Sequence, residues 1–176
     1  MAPILIEDGN GDIVEEYTLD MLERSYHYKT KHGYRYRSGW QACNLTEVNC
    51  AKFTDTDSSL QAVKAASYLG TAQAGYTRSD YLTEASQLIL QRESLVGVSL
   101  TGMANCPQFA FNESWQREAA SVAVTANKKM ARLLNIPQAS RVTCVKPSGN
   151  AAVLLGCASG VHPEYAKRYL RRVQVS

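Results

Sequence analysis

The sequence predicts a globular α/β fold; the alternation of its elements predicts the class, and two further observations predict a folded, non-spanning chain. Amphipathic helical stretches alternate with short apolar segments along the chain. Hydrophobic residues make up 45% and charged residues 20% of 176 positions, the balance of a folded globular chain of one ordinary domain. No apolar run approaches the roughly 18 residues of a membrane span. No internal repeat or low-complexity tract interrupts the pattern. The start, Met1 to Asp8, lacks a basic segment followed by a long apolar stretch, so it does not read as a secretory signal.

Taken in order, Ile4 to Glu7 reads as a short strand and Asp8 to Asp12 as a turn. The Asp/Asn/Asp spacing of that turn resembles a calcium loop, but a downstream Glu and flanking helices do not fit. Thr18 can cap a helix to about Lys29, with Leu19, Leu22 and Tyr26 on one face. From Tyr26 to Trp40, five aromatic residues interleave with Lys29, Lys31, Arg35 and Arg37. Such a segment can stack bases and hold phosphates; an ordinary amphipathic hairpin or interface is the simpler reading. Trp40 to Val48 is expected to be a strand. Asp57 is expected to cap a helix rich in small residues, Ala62, Ala65, Ala66, Gly70 and Ala72, which let a helix sit close to a sheet.

Ser79 is expected to cap the next helix, with Tyr81, Leu82, Ala85, Leu88 and Ile89 as its apolar face. Leu95 to Leu100 has the pattern of a buried strand. Asn112 caps the longest helix, to about Leu134, with a stripe of Trp115, Ala119, Ala123, Ala126, Met130 and Leu133. Val142 to Val145 reads as a short strand, followed by a Pro-Ser-Gly-Asn loop and a short helix from about Ala151. Tyr169 to Val175 reads as a final strand with no helix after it to cover it, an odd ending for a whole domain.

Charge and cysteine usage narrow the function classes. The 19 basic and 16 acidic residues leave a net charge of +3. That is too mild to argue for nucleic acid, and Lys167-Arg168 with Arg171-Arg172 reads as a solvated face. The five cysteines, at 43, 50, 106, 144 and 157, are odd in number and irregular in spacing. With no CxxC, they suit a reducing, cytoplasmic setting rather than a disulfide framework or zinc knuckle. His27, His32 and His162 form no paired-histidine motif, so no metal site is expected.

The richest local chemistry is Val142-Thr-Cys-Val-Lys-Pro-Ser-Gly-Asn-Ala-Ala152. A strand runs into Pro147-Ser148-Gly149-Asn150 and then into a helix. Gly149 can take φ > 0, and successive N–H groups at a helix start make a concavity for anions. Ser148 and Asn150 add donors and Lys146 adds charge. It is not a Walker loop, and a plain strand–turn–helix connection explains the residues about as well.

Five segments together resemble the ribonucleotide reductase catalytic chain. They are Gln41-Ala-Cys-Asn-Leu-Thr-Glu-Val-Asn49, Leu95-Val-Gly-Val-Ser-Leu-Thr-Gly102, Val142 to Asn150, Ala158-Ser-Gly-Val-His-Pro163 and Tyr169-Leu-Arg-Arg-Val173. Their order and spacing fit, and the Lys-Pro-Ser-Gly and Ser-Gly-x-His-Pro forms lean towards the adenosylcobalamin-dependent class II enzymes. The resemblance covers residues 37 to 176 and leaves 1 to 36 unmatched.

The resemblance implies the second half of a ten-stranded α/β barrel in which a thiyl radical takes the 3′ hydrogen of a ribonucleotide. A cysteine pair then delivers two electrons as the 2′ hydroxyl leaves. One of that pair falls on Cys43, while Cys50, Cys106, Cys144 and Cys157 read as inert thiols. The loop Pro147, Ser148, Gly149, Asn150 and Ala151 would hold the substrate phosphates. Adenosylcobalamin is the implied cofactor, with no ligand motif for it here. Implied partners are the ribonucleotide substrate, the missing N-terminal half and a thioredoxin-like reductant, with no nucleic acid and no membrane.

The departures define the expectation. The family's Asn-Pro-Cys-x-Glu, which bears the radical thiol and a general base, is absent; the matching stretch is Thr30-Lys-His-Gly-Tyr-Arg-Tyr-Arg37. The upstream redox cysteine and the reducing tail cysteines are absent too. Asn150-Ala151-Ala152 replaces a hydroxyl-rich Thr-Val-Ser or Thr-Ala-Ser. The chain is therefore expected to be a fragment or one piece of a split di- or triphosphate reductase, inactive alone. A non-catalytic nucleotide- or phosphate-binding module and an interaction protein are the alternatives.

Overall fold

The computed structural model describes residues 4–7, 13–17, 26–30, 33–37, 40–76, 80–166, 168–170 and 172. Two antiparallel hairpins come first: β1 (Ile4–Glu7) pairs with β2 (Ile13–Tyr17), and β3 (Tyr26–Thr30) with β4 (Gly33–Arg37). The helix expected up to Lys29 is thus corrected: Tyr26 to Thr30 is a strand, and alternating aromatic and polar residues suit the two-residue period of a strand better than a helical one. The register sets Tyr28 opposite Arg35 and Tyr26 opposite Arg37, the hairpin alternative for this segment. The expected turn at 8–12 and the Thr18 cap lie outside the described residues, as do the Ser79 cap and 173–175 of the expected last strand.

The remaining elements build one helix-covered sheet. β5 (Asn44–Asn49) pairs in parallel with β6 (Val96–Thr101), joined through α1 (Thr56–Ala74) and α2 (Glu84–Glu93). On the other side of β6, Val98 bridges Thr143 in parallel, with Val98 N–H donating to the Val142 carbonyl at 2.8 Å and Cys144 N–H to the Val98 carbonyl at 3.1 Å. The expected Val142–Val145 strand is therefore a single bridge. Next come α3 (Pro107–Ala110), the long α4 (Glu113–Leu134) and the short α5 (Asn150–Leu155). The architecture is α/β, and among the described residues its parallel part is two strands and one bridge.

Parallel register fixes what each sheet face carries. Asn44, Thr46 and Val48 face the same way as Val96, Val98 and Leu100; Leu45, Glu47 and Asn49 share the opposite face with Gly97, Ser99 and Thr101. The first face packs on helices. Val48, Val96 and Val98 are buried against Val63 and Ala66 of α1 and Trp115, Ala119 and Ala123 of α4. Gly70 shows why α1 needs small residues: a Cβ there would stand 2.8 Å from Val96 Cγ1. Buried polar groups tie the helices together. Ser67 Oγ donates to the Ala123 carbonyl at 2.7 Å, Asn127 Nδ2 to Thr71 Oγ1 at 2.9 Å, and Trp115 Nε1 to Ser59 Oγ at 2.8 Å.

Helix ends follow local chemistry with small shifts. Asp55, not Asp57, caps α1 by accepting from Ser58 N–H, and Thr83 caps α2, leaving Tyr81 outside the helix and exposed. Asn112 caps α4 as expected, accepting from Trp115 N–H at 3.1 Å. The α4 stripe departs from expectation at its end, where Leu133 is exposed and Asn127 and Ala131 are buried instead. Tyr169 and Leu170 are exposed and outside any strand. No helix of the described residues is long and apolar enough to cross a membrane.

Candidate functional site

The second sheet face is the one that carries chemistry. Cys43 precedes β5 by one residue, short of the strand expected from Trp40. Asn44 fixes its position, because both the Asn44 N–H and its Nδ2 donate to the Leu95 carbonyl, at 3.0 and 2.9 Å. Across β6, Gly97 leaves a gap that two sulfurs approach. A Cβ on Gly97 would stand 2.8 Å from Cys144 Sγ, 3.0 Å from Cys43 Sγ and 2.5 Å from Leu45 Cδ2. No side chain fits there without displacing all three. The convergence of Cys144 on Cys43 is not legible from the sequence, which spaces them far apart.

The two thiols come from backbones on opposite sides of β6. Two strand spacings separate such backbones by about 9.6 Å, beyond the roughly 4.4–6.8 Å span of a disulfide. Both are free thiols. Partial desolvation of the sulfur at this exposed residue, with the neighbouring Cys144 thiol second, raises the Cys43 pKa. Burial also raises that of Cys144, against a lowering by Lys146. Cys50 and Cys106 are buried together beside Phe53 and Phe109, and burial pushes the Cys50 thiol up to about 12.

A thiol whose folded pKa is raised favours the fold while protonated, and that contribution is lost as pH rises through the folded value. Stability should therefore decline as pH is raised from 9.0 towards 12 because of Cys50. Alkylation followed by mass spectrometry should mark Cys43, exposed at the surface, well ahead of Cys50 and Cys106. Equal labelling of all three would contradict this burial pattern.

The loop at the carboxyl end of the sheet, where ligands of open α/β sheets bind, is held by a polar network. Glu47 reaches it from β5. Its carboxylate pairs with Lys146 Nζ and accepts from Ser148 Oγ at 2.5 Å. Thr101, at the end of β6, donates to Ser148 Oγ at 2.8 Å and accepts from Gly160 N–H at 3.0 Å. Lys146 N–H donates to Ser99 Oγ at 3.0 Å. Ser159 Oγ donates to the Pro147 carbonyl at 2.6 Å and accepts from Gly149 N–H at 3.2 Å. Gly160 lies so close beneath the loop that a Cβ there would meet the Lys146 carbonyl oxygen at 2.7 Å.

The expected loop residues divide in two. Pro147, Gly149 and Asn150 are exposed, Ala151 is half-buried and Ser148 is buried. Gly149 has the positive φ expected of it, 54° with ψ −124°, and open space where a Cβ would stand. Ser148 is also left-handed, at φ 68°, which turns its hydroxyl inward to Glu47 rather than to solvent. The helix opens at Asn150 rather than Ala151. Sequence reasoning passed over Glu47, Ser99, Thr101 and Ser159. The two-residue strand period would have placed Glu47 on the face of Cys43.

No group of three or more His, Cys, Asp or Glu among the described residues could hold a metal ion. Two cavities on the described residues have volumes of about 360 and 400 Å³, within the range of small-molecule pockets.

Two curated proteins are similar to this chain. It is 25% identical over 151 residues to an adenosylcobalamin-dependent ribonucleoside-triphosphate reductase of Mycobacterium phage D29, covering 78% of this chain and 22% of that protein. It is 29% identical over 93 residues to an enzyme of the same description in Dictyostelium discoideum, covering 49% of this chain and 12% of that protein. The chain thus spans about a fifth or less of the curated relatives it matches. The resemblance read from the five motifs points to the same class of reductase. No family model matches, and no solved structure matches.

Proposed function

We propose that the chain is a part of an adenosylcobalamin-dependent ribonucleotide reductase, carrying one thiol of the reducing pair at Cys43 and the substrate-phosphate loop at Pro147–Ala151. The observation that supports it most is that Cys43 and the Glu47-anchored loop belong to one face of one parallel sheet. A ribonucleotide laid along that face with its 5′ phosphates at the loop directs its sugar towards Cys43. Two thiols give up two electrons and two protons, a disulfide forms, and the 2′ hydroxyl leaves as water. The second thiol then comes from the upstream half, on the side of β5 that no described strand pairs, since Cys144 stands beyond disulfide span.

In this reading the α/β unit is the second half of a reductase barrel. The cobalamin, the radical thiol and a general base belong to the remainder. Reduction of the disulfide falls to a thioredoxin-like protein in the cytoplasm. In this reading the chain alone forms no deoxynucleotide, because it lacks the Asn-Pro-Cys-x-Glu motif that bears the radical thiol in the family. The deciding experiment supplies the upstream half bearing Asn-Pro-Cys-x-Glu, with adenosylcobalamin, and measures deoxynucleotide formation. Turnover by this chain alone, or none with both halves folded and assembled, counts against the reading. The absence of Asn-Pro-Cys-x-Glu favours a second reading: a phosphate-binding module that retains the loop and performs no reduction.

The loop has its own test in Gly149→Val. A β-branched residue is strained at φ 54° and fills the open space an anion would use. Nucleotide binding, measured by calorimetry, should weaken by on the order of tenfold or more, the worth of one lost hydrogen bond to a charged oxygen. A folded variant that binds as tightly as the parent would make the loop a plain connector.

A further inference from the structure

Two of the loop's donors, the Lys146 ammonium and the Ser148 hydroxyl, already have an anion: Glu47. Its side chain is 7% exposed and that of Lys146 is 27% exposed, so the pair is shielded more than a surface ion pair. Among the described residues Lys146 is the cation hydrogen-bonded into the network around the loop, and Glu47 also takes the Ser148 hydroxyl. Pro147, Gly149 and Asn150, by contrast, stand open to solvent beside this network.

A phosphate arriving at those exposed groups meets a carboxylate that holds the nearest ammonium. Two anions sharing one ammonium repel, and at partly buried positions that repulsion is only weakly screened. Neither the two-residue strand period nor the left-handed Ser148 requires a charge at position 47; a neutral amide oxygen can also accept from the Ser148 hydroxyl.

We propose that Glu47 sets the anion affinity of the 146–150 loop, holding the Lys146 ammonium and the Ser148 hydroxyl until a phosphate competes for them. This rests on the phosphate reading of the loop and adds to it the residue that opposes binding. When phosphate takes Lys146, the Glu47 carboxylate is released from its ion pair on the sheet face that Cys43 shares. Binding at the loop then changes the charge near the thiols.

Glu47→Gln tests this directly, because glutamine keeps the size and an acceptor for Ser148 and removes only the charge. Inorganic phosphate would be titrated into the folded chain and its variant at constant ionic strength, followed by phosphorus NMR. The variant is expected to bind more tightly, by on the order of tenfold. Binding equal to or weaker than the parent overturns the proposal while leaving the loop a phosphate site. Binding by the variant alone supports it.

Absence of binding in both, or in the parent when the variant does not fold, ends the loop reading itself and this proposal with it. If the variant does not fold and the parent binds, carbon-13 labelling of the parent's glutamates gives the answer. The Glu47 carboxylate resonance should move as phosphate saturates, and an unmoved resonance overturns the proposal.

Discussion

Replacing Trp115 by alanine should lower the unfolding free energy by about 3–5 kcal/mol, enough to unfold a marginal domain. The indole is only 5% exposed and sits where three structural roles meet. It packs with Phe53 and Phe109, at ring-centroid distances of 5.4 and 5.9 Å. It also belongs to the cluster that joins α1 and α4 to β5 and β6. Its Nε1–H donates to Ser59 Oγ at 2.8 Å, and Ser59 is fully buried. Truncation leaves a cavity and removes that partner. Trp115→Phe keeps most of the packing and loses the hydrogen bond, so it should cost about 1–3 kcal/mol. Chemical denaturation followed by circular dichroism measures both, and equal costs would mean that the cavity does not govern the loss.

On the proposed function, Cys43→Ser in an enzyme reconstituted with the upstream half should abolish deoxynucleotide formation while leaving the fold intact. The residue is exposed and precedes β5, so a hydroxyl is tolerated there structurally. In the proposed chemistry two thiols supply the two electrons as they join in a disulfide, and a serine at this position cannot form that bond. Cys144→Ser should retain turnover, although its sulfur shares the gap at Gly97. The backbone separation across β6 keeps Cys144 from bonding to Cys43. Loss of turnover in Cys144→Ser alone, with Cys43→Ser active, would reverse the assignment.

What the sequence revealed depended on how local the determining force was. The Asn112 cap, the α4 boundaries and the β6 strand were legible because each is written in a few adjacent residues. The positive φ of Gly149 was legible for the same reason. The end of the expected N-terminal helix was misread because Tyr26 completes a helical spacing with Leu22, whereas Tyr26 to Thr30 alternates with the two-residue period of a strand and pairs with Gly33 to Arg37. The length of the third strand was misread because pairing with β6 stops after one bridge. At the candidate site the loop was readable and its anchor was not. Glu47 and Ser148 are 101 residues apart, and only folding brings them into contact. The meeting of Cys43 and Cys144 likewise depends on an absent side chain at Gly97, which no motif announces.

The polar groups buried between α1 and α4 have a consequence for how those helices settle. Faces made of Ala66, Ala119, Ala123 and Ala126 are smooth, and smooth faces pack nearly as well when one helix slides along the other. Ser67 on the Ala123 carbonyl and Asn127 on Thr71 do not tolerate that slide, because a step of one turn, about 5.4 Å, would strand each of them in an apolar seam. Asn127 Oδ1 also accepts from Ala139 N–H at 3.1 Å, which carries the same alignment into the segment leading to Cys144. The two helices thus act as a vernier: apolar contact holds them together, and the buried hydrogen bonds select the single notch at which the sheet face of the candidate site comes into line.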